Sequence, residues 1–510
     1  MSMLRRVCVV VVALALPALA PAAQRLDIGL ATDGQRIDAW RAEAAARSPL
    51  TVVLVGGLQG DAQSAAAVRN TLAAYEHRHN RPWRVLAVPM ANPQGLALQF
   101  PPVGVAYRDA IESHVLWRWL GTQAPDLVLI AGTDAAGLAD ALGANAVADM
   151  GRIAAQPWLG TLADLDAKAA KLTPSEAHRQ LQHRLARSPQ QLAQQLAQHY
   201  GRDFDQPWYI GAIALIARLR LGDVADVQRL VEPYVDGSKD SLARANSLVM
   251  AGHIVFTDLA RRTSDARYVA AVRKVAELGF DASGRMLESM PYHEQYSDSV
   301  FMGTAIVAQA GALTGERRYF DMADRHLRFM QQLDLRADGL YRHQPATDAA
   351  WGRGNGFAAL GLALTLSELP PDHPGYAHAL QSYRALMAAL LPWQNADGLC
   401  RNVIDHSGAY PEFSATAMIG FALQRGLQRG WIRGPQWQQA VAAAWTAVNA
   451  RSSDEGGFVD VCESTTRMTS LDQYLKRTAI LGKDPRGGAM ALLFATELMD
   501  AQRTPVHPGN

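Results

Sequence analysis

Two regimes of hydrophobic patterning divide the chain. Between residues 27 and 157, short apolar runs alternate with stretches of helical period. Leu50-Thr51-Val52-Val53-Leu54-Val55 is apolar and β-branched almost throughout, as a strand buried on both faces requires. A glycine-rich turn ends it, and residues 65–77 then follow a helical period. Residues 83–89 and 125–130 read as two further strands. Strands separated by helices predict a parallel α/β layer. From Pro207 onward the strand signal fades, and apolar residues recur at helical spacing with alanine-rich faces.

The helical part carries a faint repeat. Thr263-Ser264-Asp265-Ala266-Arg267-Tyr268 opens a helix predicted to reach residue 278, and Thr314-Gly315-Glu316-Arg317-Arg318-Tyr319 opens one predicted to reach 332. Pro374-Gly375-Tyr376 and Pro435-Gln436-Trp437 open two more. Each time, turn residues end one helix and an aromatic residue stands at the start of the next. The spacing of roughly 50 to 60 residues is one helical hairpin with its loops, and about six hairpins fit between residues 207 and 499. An open solenoid needs a polar cap at each end, whereas a closed toroid does not and gathers the loops of one rim around a cleft. The pattern therefore predicts an N-terminal α/β domain with a parallel or mixed sheet, followed by an all-α (α/α)6 barrel. The expected divisions are a leader at 1–23, the α/β domain at 24–160, a helical linker at 161–206 and the barrel at 207–505. In the linker, Ser188 is placed to cap a helix over 188–200, with Pro189 as its first residue.

Composition changes this picture in three ways. The 510 residues exceed what one hydrophobic core organises, which agrees with two domains. A net charge of +1 gives no bulk attraction to nucleic acid or to acidic membranes, so neither is an expected partner. Arg5 and Arg6, the short apolar run at 9–16 and Ala20-Pro21-Ala22 compose a secretory leader, too short in its apolar part to span a membrane. Export to the periplasm or beyond is the expectation. Without the leader only Cys400 and Cys462 remain, which allows either one bridge or two buried thiols. No metal or cofactor is expected, and oligomeric state is not legible.

Candidate chemistry concentrates in Trp351-Gly352-Arg353-Gly354-Asn355-Gly356-Phe357. Its glycines permit a bend, an arginine fork suits a planar carboxylate, and aromatic rings offer walls for a sugar. The competing reading is a helix-entry loop with a packed tryptophan. Upstream stand His343 and Asp298, the latter in Tyr296-Ser297-Asp298-Ser299-Val300-Phe301-Met302; downstream is Tyr410-Pro411-Glu412-Phe413. Together they read as the walls of one pocket for an acidic oligosaccharide. Asp298 has a plainer alternative, as the N-cap of a helix.

Two resemblances follow from these motifs. Residues 57–62, 89–95 and 126–130 resemble zinc carboxypeptidases, but Gln59 and Ala62 stand where that family has its metal histidine and glutamate. The implied domain is a peptidase-like shell without its metal pair. The stretches at 296–302, 343, 351–357, 398–404 and 410–418 resemble unsaturated glucuronyl and rhamnogalacturonyl hydrolases of glycoside hydrolase families 88 and 105, whose fold is an (α/α)6 barrel. That resemblance implies hydrolytic removal of an unsaturated uronic acid by hydration of its C4–C5 double bond. A single aspartate serves first as acid and then as base. Asp298 matches that aspartate, and Tyr296, His343, Trp351, Arg353, Phe357, Glu412 and Trp208 form the expected substrate-binding set. The family's second acidic residue falls near Asn246, where no carboxylate stands; Asp240 nearby, and Glu294 and Glu412 further along, are the candidates to compensate. A glycan-binding protein without activity and a glycosidase for another uronide are the alternatives.

Overall fold

A computed structural model describes residues 23–45 and 50–503. Residues 1–22 of the expected leader lie outside the described residues. Six strands form one sheet: β1 (Gln24–Leu30), β2 (Arg36–Ala42), β3 (Thr51–Val55), β4 (Arg84–Val88), β5 (Leu127–Ala131) and β6 (Ala155–Trp158), in the order β1-β2-β4-β3-β5-β6. β3, β4, β5 and β6 run parallel, while β1 and β2 join antiparallel at one edge, so the sheet is mixed. β3 and β5 are buried along their whole length, which their unbroken apolar runs foretell. β1 and β2 escape a search for apolar runs because their faces carry Arg25, Asp27, Arg36 and Asp38, which pair across the sheet edge. Charges of this kind keep an edge strand from pairing with another chain.

The helical part closes into two concentric rings. Among the described residues the inner ring comprises Tyr209–Leu221, Ser247–Gly252 with Ile254–Thr263, Ser299–Met302 with Thr304–Thr314, Gly352–Glu368, Phe413–Gln428 and Pro485–Arg503, each packed on the next and the last on the first. Val224–Val231, Ala266–Ala276, Arg317–Asp334, Pro374–Leu390 and Pro435–Ala450 lie outside them. The inner helices are apolar nearly all round, as helices sandwiched between other helices must be. The helix Pro189–Leu196, expected as a linker, packs on Pro485–Arg503 and completes the outer layer. Its capping box, with Ser188 bonded to Gln191 and Gln191 reaching back, is the predicted start.

The N-termini of all six inner segments share one rim. The sheet unit sits over part of that rim. Leu26, Ile28, Val115 and Trp119 from the first unit share one apolar core with Trp351, Tyr410, Cys462 and Tyr474 from the second. Arg401 ties to Asp27 at 3.2 Å across the same boundary. Two further ribbons lie on this side: β7 (Cys400–Arg401) with β8 (Pro411–Glu412), and β9 (Phe458–Cys462) with β10 (Ala479–Gly482). Cys400 and Cys462 are both buried free thiols, which decides between the bridged and unbridged readings.

Candidate active site

The glycine motif is not a bend. It is the first turn of the inner helix Gly352–Glu368, which runs unbroken from there. Its glycines serve close packing. A methyl group at Gly354 would stand 2.6 Å from Ser297 Oγ and 3.6 Å from Asp298 Oδ1, so this position lets the helix lie directly against the Asp298 turn.

Several expected contact residues are consequently interior. Arg353 is only 2% exposed. Its two terminal nitrogens donate to the carbonyls of Cys462 and Glu463, the latter at 2.7 Å, and its guanidinium lies over the Trp351 ring. The fork meant for a substrate carboxylate is thus filled by backbone. Phe357 is buried in the barrel core, stacked on Phe301 and edge-on to Tyr209. Trp351 is buried too, its indole N–H given to Asn402 Oδ1 at 3.2 Å. Glu412 is fully buried and caps the helix Phe413–Gln428, accepting from Ser414 and Ala415, and also from Cys462 N at 2.9 Å. These four residues frame the site rather than face a ligand. Asp240 sits on the surface with Lys274 at 2.6 Å, so it does not supply a second acid, and Asn246 caps its own helix.

What remains at the rim is a small set. Asp298 keeps 22% of its side chain exposed. It begins the helix Ser299–Met302 but accepts no capping hydrogen bond, because its backbone is already helical at φ −52° and ψ −30°. A capping carboxylate needs the extended backbone that Glu412 has. Among the described residues Asp298 Oδ1 has no hydrogen-bond partner. Burial pushes the carboxyl up to about 7, against the pull of Arg353 and with help from Glu294. His343 Nε2 lies 3.8 Å away. Its ring is stacked on half-buried Tyr296 and edge-on to Trp351, and its Nδ1 is 2.7 Å from the Tyr474 hydroxyl. Burial, with Arg353 adding to it, holds this imidazole down at about 3, so it is neutral at ordinary pH. Trp208, 39% exposed, precedes the helix Tyr209–Leu221 and lines a cavity of 500 Å³ with Arg202, Phe204 and Arg486 on the same rim. A cavity of 630 Å³ on the outer side of the His343 loop holds Arg336 and Arg342, each already paired with aspartate.

Sequence reasoning missed two residues near Asp298. Tyr474 belongs to a segment with no motif. Asp334 ends the outer helix Arg317–Asp334 with both carboxylate oxygens unpartnered among the described residues, and burial pushes it up to about 8. An acidic residue at a helix C-terminus opposes the helix dipole, and that was the available signal.

Toroid and rim carboxyl together place the chain among (α/α)6 barrels with an acidic group at the cleft, and the family comparison gives the class as glycoside hydrolase. The family model described as Glycosyl Hydrolase Family 88 matches residues 225–502, and the chain belongs to that family. It is 25% identical over 276 residues to the unsaturated rhamnogalacturonyl hydrolase YesR of Bacillus subtilis (strain 168), covering 50% of this chain and 77% of that one. It is 27% identical over 175 residues to an unsaturated 3S-rhamnoglycuronyl hydrolase of Alteromonas sp. (strain LOR), covering 32% and 42% respectively. In fold it is similar to a solved structure from Klebsiella pneumoniae, described as a possible member of the GH105 family, with a TM-score of 0.54 and 18% identity over 62% of this chain and 93% of that one.

Proposed function

We propose that this chain removes an unsaturated uronic acid from lyase-generated oligosaccharides, with Asp298 as the proton donor. The observation that carries the reading is a carboxyl at the cleft rim that caps nothing, has an unpartnered oxygen and is held near neutrality by burial. Asp298 in its acid form gives a proton to C4 of the vinyl ether, and positive charge develops at C5. The resulting carboxylate takes a proton from water as that water bonds to C5. The hemiketal so formed opens, releasing the remaining sugar. Because one carboxyl serves both steps, the two-carboxylate spacing of ordinary glycosidases does not constrain it. Neutral His343 offers a polar contact beside Asp298 without competing for its proton. Trp208 and Tyr296 supply the aromatic surface open to a sugar ring.

Export of the protein, and thus action outside the cytoplasm, follows from the leader-like composition of residues 1–23. For the first unit we propose a carboxypeptidase-like shell that performs no metal chemistry. Gln59 and Ala62 provide no imidazole or carboxylate, and Asp61 is engaged as the cap of the helix Ala62–Glu76 through Ser64.

The deciding experiment follows ultraviolet absorbance of unsaturated disaccharides released by several polysaccharide lyases. Hydration abolishes the absorbance of the conjugated double bond. Binding of these sugars with no loss of absorbance across the panel would instead support a glycan-binding protein.

A further inference from the structure

We propose that the sheet unit is part of the active-site frame, with Arg118 and Tyr107 positioning Asp460 so that β9 presents the carbonyls that hold Arg353. The inference rests on the reading of Asp298 as the acid of this site. The helix Ile111–Gln123 is buried on every side from Ile111 to Gly121, because it lies between the sheet and the barrel rim. It nonetheless carries two charged side chains, Glu112 and Arg118. Arg118 Nη1 donates to Asp460 Oδ1 at 2.7 Å, and both side chains are almost wholly buried. The Tyr107 hydroxyl donates to the same oxygen at 3.0 Å, and Arg451 reaches Oδ2 at 3.3 Å.

Asp460 is an unusual residue to hold so firmly. Its φ is +65°, a left-handed backbone in mid-strand, and the β9–β10 register slips at this point. A bulge re-aims the strand beyond it. Two and three residues on, the carbonyls of Cys462 and Glu463 receive the two arms of Arg353, while Cys462 N–H is held by Glu412 from the barrel side. A second path runs in parallel. The Tyr107 ring stacks on Tyr410 at 4.3 Å, and the Tyr410 carbonyl accepts from Asn402 N–H at 2.8 Å. Asn402 in turn accepts from the indole of Trp351 and from Gly352 N–H. Both paths end at the residues behind His343 and Asp298. A desolvated ion pair contributes little as an adhesive between two surfaces, and its use here is to fix one geometry.

The consequence is measurable at Asp298. The groups that act on it are Arg353, Glu294, Asp334, His343, Tyr209, Tyr296 and Tyr474. Of these only Arg353 is cationic, and only Arg353 is held by β9. Loosening β9 lets that charge retreat, and the Asp298 carboxyl then titrates at higher pH.

The test compares wild type with Arg118→Met, Arg118→Lys and Tyr107→Phe in the full chain. The readouts are carbon NMR titration of the Asp298 carboxyl and steady-state hydrolysis of an unsaturated disaccharide. Tyr107→Phe removes one hydroxyl, so it folds even where Arg118→Met does not. Expected are an upward move of the Asp298 titration in Tyr107→Phe and Arg118→Met, a kcat lowered about three- to tenfold with KM little changed, and partial restoration by Arg118→Lys. An unmoved titration in Tyr107→Phe together with kcat within twofold of wild type overturns the proposal, even if Arg118→Met unfolds, since the contacts then only join the two units. Wild type that titrates as described but hydrolyses no unsaturated sugar would sink the proposed function and not this inference.

Discussion

His343 Nε2 stands 3.8 Å from Asp298 Oδ1, too far for a hydrogen bond and too near for the pair to ignore each other. The imidazole is neutral and fixed by Tyr474 and Trp351. The carboxyl is free to exchange its proton with something placed in the cleft.

Asp298→Asn keeps the shape and removes the proton. General acid–base assistance accounts for about 10²–10⁴ in rate, so kcat should fall at least that far while the thermal midpoint does not drop. A helix cap would tolerate asparagine, and near-normal turnover would return Asp298 to that role.

The acid form of Asp298 must be present for the first step. With its carboxyl at about 7, kcat should be level at lower pH and decline as pH rises through 7. Stability follows the same sign. The folded carboxyl binds its proton more tightly than the unfolded one, so its contribution is complete below the ordinary carboxylate range and is lost as pH rises through 7. Asp298→Asn escapes that loss and should gain about 2 to 4 kcal/mol on wild type at pH 8 but little at pH 4, as denaturant melts at the two pH values will register.

His343→Phe preserves a flat ring between Tyr296 and Trp351 and abandons the Tyr474 hydroxyl. That hydroxyl then keeps only the long contact from Gln344 at 3.5 Å, and a buried donor left without its acceptor costs about 1–3 kcal/mol, so the midpoint should drop accordingly. The high-pH decline in kcat should stay where it is, because a neutral imidazole contributes no charge to Asp298. A displaced decline would show that His343 is charged in the working enzyme.

Arg353→Lys keeps the charge and loses a fork that serves two carbonyls. The expected loss is about 2–4 kcal/mol of stability, with KM for the sugar within a few fold of wild type. Calorimetry showing normal stability and greatly weakened sugar binding would restore Arg353 as a direct carboxylate contact.

Gly361→Ala examines the helix packing behind the site. The added methyl would lie 2.3 Å from the Val300 carbonyl oxygen and 2.6 Å from Phe301 Cα, both backbone. Overpacking against atoms that cannot swing aside should cost about 2–3 kcal/mol, measurable by chemical denaturation.

Much of this was legible in the chain itself. The continuous apolar runs of β3 and β5 and the capping box at Ser188 are local signals, written in neighbouring residues and unaffected by what packs on them. The order Asp298, His343, Arg353 was also readable. Its division of labour was not. Arginine, tryptophan and glutamate look like ligand-binding residues in a sequence because their chemistry suits ligands, yet Arg353 and Glu412 spend it on backbone groups of the Cys462 segment and Trp351 on the Asn402 side chain. Those partners lie 50 to 110 residues away and reach the site only when the ring closes. The glycines at 352, 354 and 356 read as a bend because flexibility is a property of the residue, whereas the need for closeness is a property of the helix beside it. Arg118 and Asp460 are 342 positions apart, and only folding of the sheet unit onto the barrel rim brings that charge to its partner.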